Sequence, residues 1–240
     1  MARGTDVNVR VGTSGYSYPE WKGNFYPEKI AARDMLSFYA GRFPTVEINN
    51  TFYRMPKEAL LSGWAAQVPE RFTFVLKASQ RITHIQRLKE CGELLGYLFR
   101  VTATLGARLG PLLFQLPPNF KKDVPRLRSF IDQMPQRRRV AFEFRHASWF
   151  DDETFGALRD NGAALCVADT GEEPVAPLVA TTDWGYLRLR REDFGDTELH
   201  EWARRIREQP WGEVFAFLKH EEEGRGPKLA ARLMEILQRP

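Results

Sequence analysis

Short apolar stretches alternate with amphipathic ones along the whole of this chain. The apolar runs are rich in Val, Ile, Leu and Phe and are bounded by Gly, Pro, Asn or charged residues, which predicts strands. They fall at Val7–Thr13, Thr45–Asn49, Phe72–Lys77, Gly110–Leu116, Arg139–Phe144, Ala164–Asp169, Trp184–Arg190 and Val214–Lys219. Between them, helical patterning predicts helices over Met35–Tyr39, Lys57–Gln67, Leu88–Leu105, Val124–Gln133, Asp151–Asn161, Thr197–Glu208 and Pro227–Leu237. Gly162 stands where a helix C-cap belongs.

Each strand is thus followed by a helix or, after Asp169, by a long loop. Repeated βα units imply parallel strands joined by right-handed crossovers. Eight of them predict closure into one TIM-type (β/α)8 barrel spanning residues 1–240, with an open doubly wound sheet as the alternative. No long linker or low-complexity segment divides the chain.

Side chains alternate along a strand, so each strand reads by twos. Thr45, Glu47 and Asn49 share a face, as do Thr73, Val75 and Lys77. The same reading aligns Leu113 with Gln115, and Ala141 with Glu143 and Arg145. It aligns Leu165, Val167 and Asp169, then Tyr186, Arg188 and Arg190, then Phe215, Phe217 and Lys219. Nearly every strand therefore ends in a polar or charged residue in phase with apolar ones below it. In a barrel, inward residues at the C-terminal strand ends form the floor of the working site.

Two readings of this ring compete. It could be a structural ion-pair network, with Glu47, Glu143 and Asp169 set against Lys77, Arg145 and Arg188. It could also be catalytic, with Glu47, Lys77, Glu143 and Asp169 doing acid–base work, one group's pKa shifted by its neighbours. The acids could hold a divalent metal. The four histidines, His84, His146, His200 and His220, show no metal-motif spacing, so acid–base chemistry without a cofactor ranks above a metal.

Composition narrows the class. The chain has 240 residues, 43% hydrophobic and 28% charged, with a net charge of +4. That balance fits a soluble globular protein with an anionic ligand, and nucleic-acid binding less well. Cys91 and Cys166 are far apart and form neither a zinc knuckle nor a disulfide framework, so a buried inert thiol is expected at Cys166. The N-terminal stretch Met1–Arg10 lacks an apolar core, and no apolar run approaches the ~18 residues of a membrane span, so a cytoplasmic location is expected.

Gly12-Thr13-Ser14-Gly15 could form a backbone anion nest or only a turn out of the first strand. Arg137-Arg138-Arg139 enters the fifth strand and reads as a solvated charge run. Aromatic residues Tyr16, Tyr18, Trp21, Phe25, Tyr26, Phe52, Tyr53 and Trp149 sit in loops after strands one, two and five, where some should pack and others line a pocket.

These residues resemble the domain-of-unknown-function 72 (DUF72, YecE-like) family. The matching stretches are Gly12-Thr13-Ser14-Gly15-Tyr16, Trp21-Lys22-Gly23, Phe25-Tyr26-Pro27, Glu47-Ile48-Asn49 and Thr51-Phe52-Tyr53, with Pro56. Phe74, Lys77, Ile82-Thr83-His84, Gln115 through Phe120, Glu143-Phe144-Arg145-His146 and Ser148-Trp149 follow in order. The resemblance implies a TIM-like barrel and supplies no reaction. The seventh strand of the family looks like Tyr-x-Arg-x-His-Gly, where this chain reads Tyr186-Leu187-Arg188-Leu189-Arg190. The eighth typically ends Tyr-Phe-Asn-Asn, where this chain ends Phe217-Leu218-Lys219-His220.

The expected protein is a monomeric or weakly associating enzyme, a hydrolase or isomerase, acting on a polar anionic small molecule such as a sugar or nucleotide derivative. Its expected binding residues are Thr13, Trp21, Asn49, Tyr53, His84, Gln115, Arg145, His146, Arg188 and Lys219. Phosphate is expected at Arg188, Arg190, Lys219 and Arg225, opposed locally by Glu221, Glu222 and Glu223. The alternatives are an endonuclease-like nucleic-acid-binding barrel, a metal-dependent hydrolase, or a barrel that binds ligand without turnover.

Overall fold

The computed structural model describes residues 7–136, 138–220 and 222–238. Met1–Asp6, Arg137, Glu221, Arg239 and Pro240 lie outside the described residues, so part of the N-terminal stretch and one member of each charge run receive no structural account. The elements follow the predicted alternation. They are β1 (Asn8–Thr13), α1 (Met35–Ala40), β2 (Thr45–Ile48), α2 (Glu58–Ala65), β3 (Thr73–Lys77), α3 (Gly92–Thr102), β4 (Leu109–Gln115) and α4 (Val124–Ile131). They continue as β5 (Val140–Glu143), α5 (Asp152–Asp160), β6 (Ala164–Asp169), β7 (Trp184–Leu189), α6 (Asp196–Arg207), β8 (Glu213–Leu218) and α7 (Arg225–Gln238).

All eight strands pair in parallel in the order β1-β8-β7-β6-β5-β4-β3-β2. The ring closes where Ser14 bridges Glu47 and the Gly15 N–H donates to the Glu47 carbonyl at 2.8 Å. Gly12 permits that closure, because a Cβ there would lie 2.2 Å from the Thr45 carbonyl oxygen. The architecture is a TIM-type (β/α)8 barrel in which one crossover, Thr170–Asp183, carries no α-helix. Among the described residues, no helix is long and apolar enough to cross a membrane.

Two apolar zones result. The larger lies between strands and helices and takes Val46, Phe74, Phe114, Phe142, Leu165, Val167 and Leu187. The smaller fills the barrel: Val75, Leu113, Ala141, Ala164, Cys166, Trp184, Tyr186, Phe215 and Phe217. Side chains thus plug the barrel below the strand ends, as in other barrels of this size. Both cysteines are free and buried, and burial pushes the Cys166 thiol well up.

The expected phase of β6 is wrong by one residue. Ala164 and Cys166 face inward, and the register sets Cys166 beside Tyr186 and Ala168 beside Arg188. Leu165 and Val167 face the helices. The bulk of Trp184, Tyr186, Phe215 and Phe217 already fills that side of the interior, so β6 turns its small residues toward it.

The helix expected from Leu88 starts only at Gly92. Arg87, Leu88 and Glu90 take φ values of 48°, 67° and 49°, which no helix accommodates. The buried Leu88 side chain anchors this turn. At α5 the expectation is met: Asp151 accepts from the Thr154 N–H at 2.9 Å, and Gly162 follows the helix with φ 61°.

Candidate functional site

The inward residues of β2, β5 and β7 meet at the C-terminal end of the barrel. Arg188 lies between Glu47 and Glu143, and all three are 0–1% exposed. Arg188 Nη2 donates to Glu47 Oε1 at 2.8 Å, and Nε to the same oxygen at 3.2 Å. Arg188 Nη1 donates to Glu143 Oε2 at 2.5 Å. Ser14 Oγ and Asn49 Nδ2 also donate to Glu47 Oε1, at 2.7 and 3.1 Å, while the Tyr186 hydroxyl donates to Oε2 at 2.7 Å. Gln115 Nε2 donates to Glu143 Oε1 at 2.6 Å, and Arg145 Nε lies 3.5 Å from that oxygen. Asn49 Oδ1 accepts from Arg188 Nη2 at 3.2 Å.

Every carboxylate oxygen here therefore has a partner, which is what makes burial of these charges tolerable. Burial pushes the Glu47 carboxyl up, but the charges of Arg188 and Arg190 with hydrogen bonds from Arg188 and Tyr186 outweigh it and hold it at about 2. Burial opposes ionisation of Glu143 as well, and Arg188, Arg190, Gln115 and Arg145 together hold its pKa below the ordinary value. Both acids are fixed anions in this state and poor proton donors near neutral pH.

Lys77 stands apart from this network. It is 9% exposed, and its Nζ lies 3.9 Å from the centre of the Phe52 ring. Arg188 holds the two nearby carboxylates, so the amine faces an aromatic surface where a carboxylate was expected. Burial first, and then the charge of Arg188, pull its pKa down to about 8. His84 packs edge-on to the same ring at 4.9 Å, and Thr83 Oγ1 lies 2.9 Å from its Nδ1. Burial and the neighbouring Lys77 lower its pKa too. Tyr53 meets Phe52 edge-on from outside and is 74% exposed. Phe52 is the shared platform; the sequence marks it only as one of several loop aromatics that could pack or line a pocket.

A cleft of about 880 Å³ opens beside this centre, over the ends of β7 and β8. Arg190, Arg191, Lys219, His220 and Arg225 line it, with Glu172, Glu192, Asp193 and Glu222. Arg190, Lys219 and His220, three positions where the chain departs from the strand patterns of the family it resembles, thus share one wall.

Several expected site residues lie elsewhere. Asp169 follows the corrected phase of β6 and faces α6, where its Oδ2 accepts from the Trp202 indole N–H at 2.9 Å. It does not join Glu47 and Glu143, so the three acids that could have held a metal, the lower-ranked alternative, do not come together. Among the described residues, no three His, Cys, Asp or Glu side chains gather in a way that would hold a metal ion. Thr13 also faces outward, bonding through its N–H and Oγ1 to the Tyr39 hydroxyl, each at 2.8 Å. The anion nest fails for the same reason. Thr13, Ser14 and Gly15 direct their N–H groups to Tyr39, the Leu218 carbonyl and the Glu47 carbonyl, so these donors close the barrel and are not left for an anion.

Trp21, 1% exposed, stacks on Tyr26 and belongs to the packing under the first loop. His146 caps the turn Ala147–Trp149, its Nδ1 accepting from the Ser148 N–H at 3.1 Å. Arg188 is fully buried and saturated by its two glutamates, so it cannot meet a phosphate as expected. At the opposite end, Arg139 is no merely solvated charge: it pairs with Glu213, which also binds Arg10 at 2.6 Å.

A ring of eight parallel strands, plugged by side chains and crowned at the strand C-termini by a cation-rich polar centre, defines a TIM-type barrel. The chain belongs to the DUF72 family: the model described as "Protein of unknown function DUF72" matches residues 10–240. The UPF0759 protein YunF of Bacillus subtilis is 26% identical over 271 residues, covering 95% of this chain and 94% of that protein. The UPF0759 protein YecE of Escherichia coli is 29% identical over 143 residues, which cover 59% of this chain and 50% of YecE. A crystal structure of a DUF72 family protein from Thermotoga maritima has a TM-score of 0.87 at 27% identity, covering 96% of this chain and 99% of that one.

Proposed function

We propose that this barrel is an enzyme that moves a proton on a polar, anionic small molecule, a sugar or nucleotide derivative, with Lys77 as its acid–base group. One observation carries the reading: Lys77 is buried beside two carboxylates and paired with neither. With a pKa near 8, a useful fraction of the amine is neutral at mildly alkaline pH and can accept a proton. The acid–base role first expected of Glu47, Lys77, Glu143 and Asp169 together narrows to Lys77, and the two glutamates act as fixed charges that set its field. His84, on the same platform, is the second proton-handling group.

The charge balance selects the ligand. Arg145, Arg188, Arg190 and protonated Lys77 face Glu47 and Glu143, a surplus of two positive charges (four minus two) among the groups whose fields act on Glu143 or Lys77. An anionic ligand would balance that surplus. Arg145, half-exposed at the mouth, is the cation placed to greet it.

The test is proton exchange followed by NMR in deuterated water, with a panel of sugar phosphates, sugar acids and nucleoside phosphates. Wild-type protein is expected to incorporate deuterium into, or convert, at least one of them, and Lys77→Met to abolish this. Binding without exchange or conversion would make the barrel a non-catalytic binder. Undiminished exchange in Lys77→Met would remove Lys77 from the chemistry.

A further inference from the structure

Arg190 leaves β7 with its N–H bonded to the Asp169 carbonyl at 2.7 Å, which turns its side chain toward the barrel mouth side of the sheet, in phase with Arg188. Its Nε is buried and has no hydrogen-bond partner. Among the described residues no carboxylate pairs with it, since Glu47 and Glu143 are both bound to Arg188. A desolvated guanidinium beside a second one is unfavourable unless an anion completes it.

A second orphan lies on the same cleft. His220 Nε2 sits 2.6 Å from the Arg191 carbonyl, an oxygen that can only accept, so Nε2 carries the proton. Nδ1 is buried with no partner. In the neutral ring that nitrogen is an acceptor awaiting a donor. Burial lowers the His220 pKa, which keeps the ring neutral. Two residues of the cleft wall thus each carry an unmet buried atom, one a cationic donor and one a neutral acceptor.

The acids of the cleft do not supply the missing anion. Glu172, Glu192, Asp193 and Glu222 are all exposed at its rim, and Asp193 is held by Arg191 at 2.8 Å. Arg190 and His220 lie deeper, both half-buried.

We propose that the β7–β8 cleft binds a hydroxylated oxyanion, a phosphate ester or carboxylate of a polyol, with its anionic oxygen on Arg190 and a neighbouring hydroxyl donating to His220 Nδ1. This deepens the function proposed above and rests on it for the link to turnover, since the charge of Arg190 also acts on Lys77. A ligand that carries both an oxyanion and a hydroxyl group supplies a partner for each orphan, which a bare anion or a neutral sugar does not.

Binding is measured by calorimetry and thermal shift with glycerol phosphate, gluconate, inorganic phosphate and glucose. Wild-type protein is expected to bind glycerol phosphate or gluconate more tightly than inorganic phosphate or glucose, and the tighter of the first two identifies the oxyanion. Arg190→Met is expected to weaken that binding by about tenfold or more, the scale of one charge-assisted hydrogen bond. Arg190→Met breaks no side-chain ion pair or hydrogen bond among the described residues, and a thermal melt of the free variant checks that it folds. His220→Phe is expected to weaken the hydroxylated probes and leave inorganic phosphate unchanged. The cleft proposal fails if neither hydroxylated anion binds at about 10 mM, where even a millimolar ligand gives measurable stabilisation. It also fails if Arg190→Met binds as tightly as wild type. Lys77→Met separates the two proposals. Binding retained there, with no exchange by wild type, upholds the cleft and removes the proton-transfer reading. Exchange by wild type that Arg190→Met does not affect, with unchanged binding, removes the cleft alone.

Discussion

Replacing Arg188 by methionine should unfold the protein more readily than any other single change at the strand ends. The methionine fills much of the same volume but removes the donors to Glu47 at 2.8 and 3.2 Å and to Glu143 at 2.5 Å. It leaves two fully buried carboxylates facing one another without a shared cation. Breaking a buried ion pair from one side costs about 3–5 kcal/mol. For a domain of this size that lowers the melting temperature by roughly 6–20 °C.

The pH dependence gives the sharper check. In wild type the folded Glu47 pKa, about 2, lies below the unfolded value of about 4.3. Its stabilisation is present above about pH 4.3 and is lost as pH falls toward 2. In Arg188→Met both carboxyl pKa values rise, because burial is then opposed only by Arg190, Arg145 and the remaining hydrogen bonds. The variant's deficit should therefore be largest at neutral pH and shrink on acidification, as the carboxyls protonate. Combining Arg188→Met with Glu47→Gln and Glu143→Gln should restore most of the lost stability. Thermal melts from pH 4 to 8, a range set by these values, read all of this. A melting shift within a degree or two, or a deficit independent of pH, would refute the reading of Arg188 as the shared counter-ion.

Three further outcomes are expected. Wild-type stability should rise between about pH 8 and about 10.4, because folded Lys77 releases its proton before unfolded lysine does, and Lys77→Met should lack that rise of up to about 3 kcal/mol, checked by urea melts across the range. Asp169→Asn should leave ligand binding unchanged and cost about 1 kcal/mol or less, since an amide oxygen can still accept from Trp202; a lost ligand in calorimetry would return Asp169 to the site. Gly12→Ala should destabilise by about 1–3 kcal/mol or more, because its Cβ would press on the Thr45 carbonyl 2.2 Å away and part β1 from β2; an unchanged melting temperature would refute that close approach.

The barrel was legible in the sequence because each strand is a compact apolar run and each turn is marked. The strand-end centre was legible where one alternate set was polar at its end: Glu47 and Asn49, Lys77, Gln115, Glu143 and Arg188 all share the inward face as expected. β6 was not, because strands buried on both faces carry apolar residues in both phases. Leu165 and Val167 outweighed Ala164 and Cys166 in hydrophobicity, yet barrel volume and not hydrophobicity chose the phase. Which cation would take both glutamates was also hidden. Lys77 and Arg188 look equivalent along the chain, and only the span of Arg188, with donors on both sides of its planar group, reaches two strands at once. Trp21 and His146 misled for a simpler reason: an aromatic or a histidine in a loop carries no mark that separates packing and capping from binding.

The Glu47–Arg188–Glu143 contact ties β2, β5 and β7 across the mouth of the barrel. It works as a tripod whose feet stand on three non-adjacent staves, so the opening keeps its shape without help from the connecting segments. β6 is not a foot of the tripod: its upper inward residue is Ala168, beside Arg188 in register. The segment that follows it, residues 170–183, is also the crossover without an α-helix. That stretch is where chain can be inserted, shortened or exchanged with least disturbance to the geometry below, and so where relatives of this barrel can vary the roof over a fixed floor.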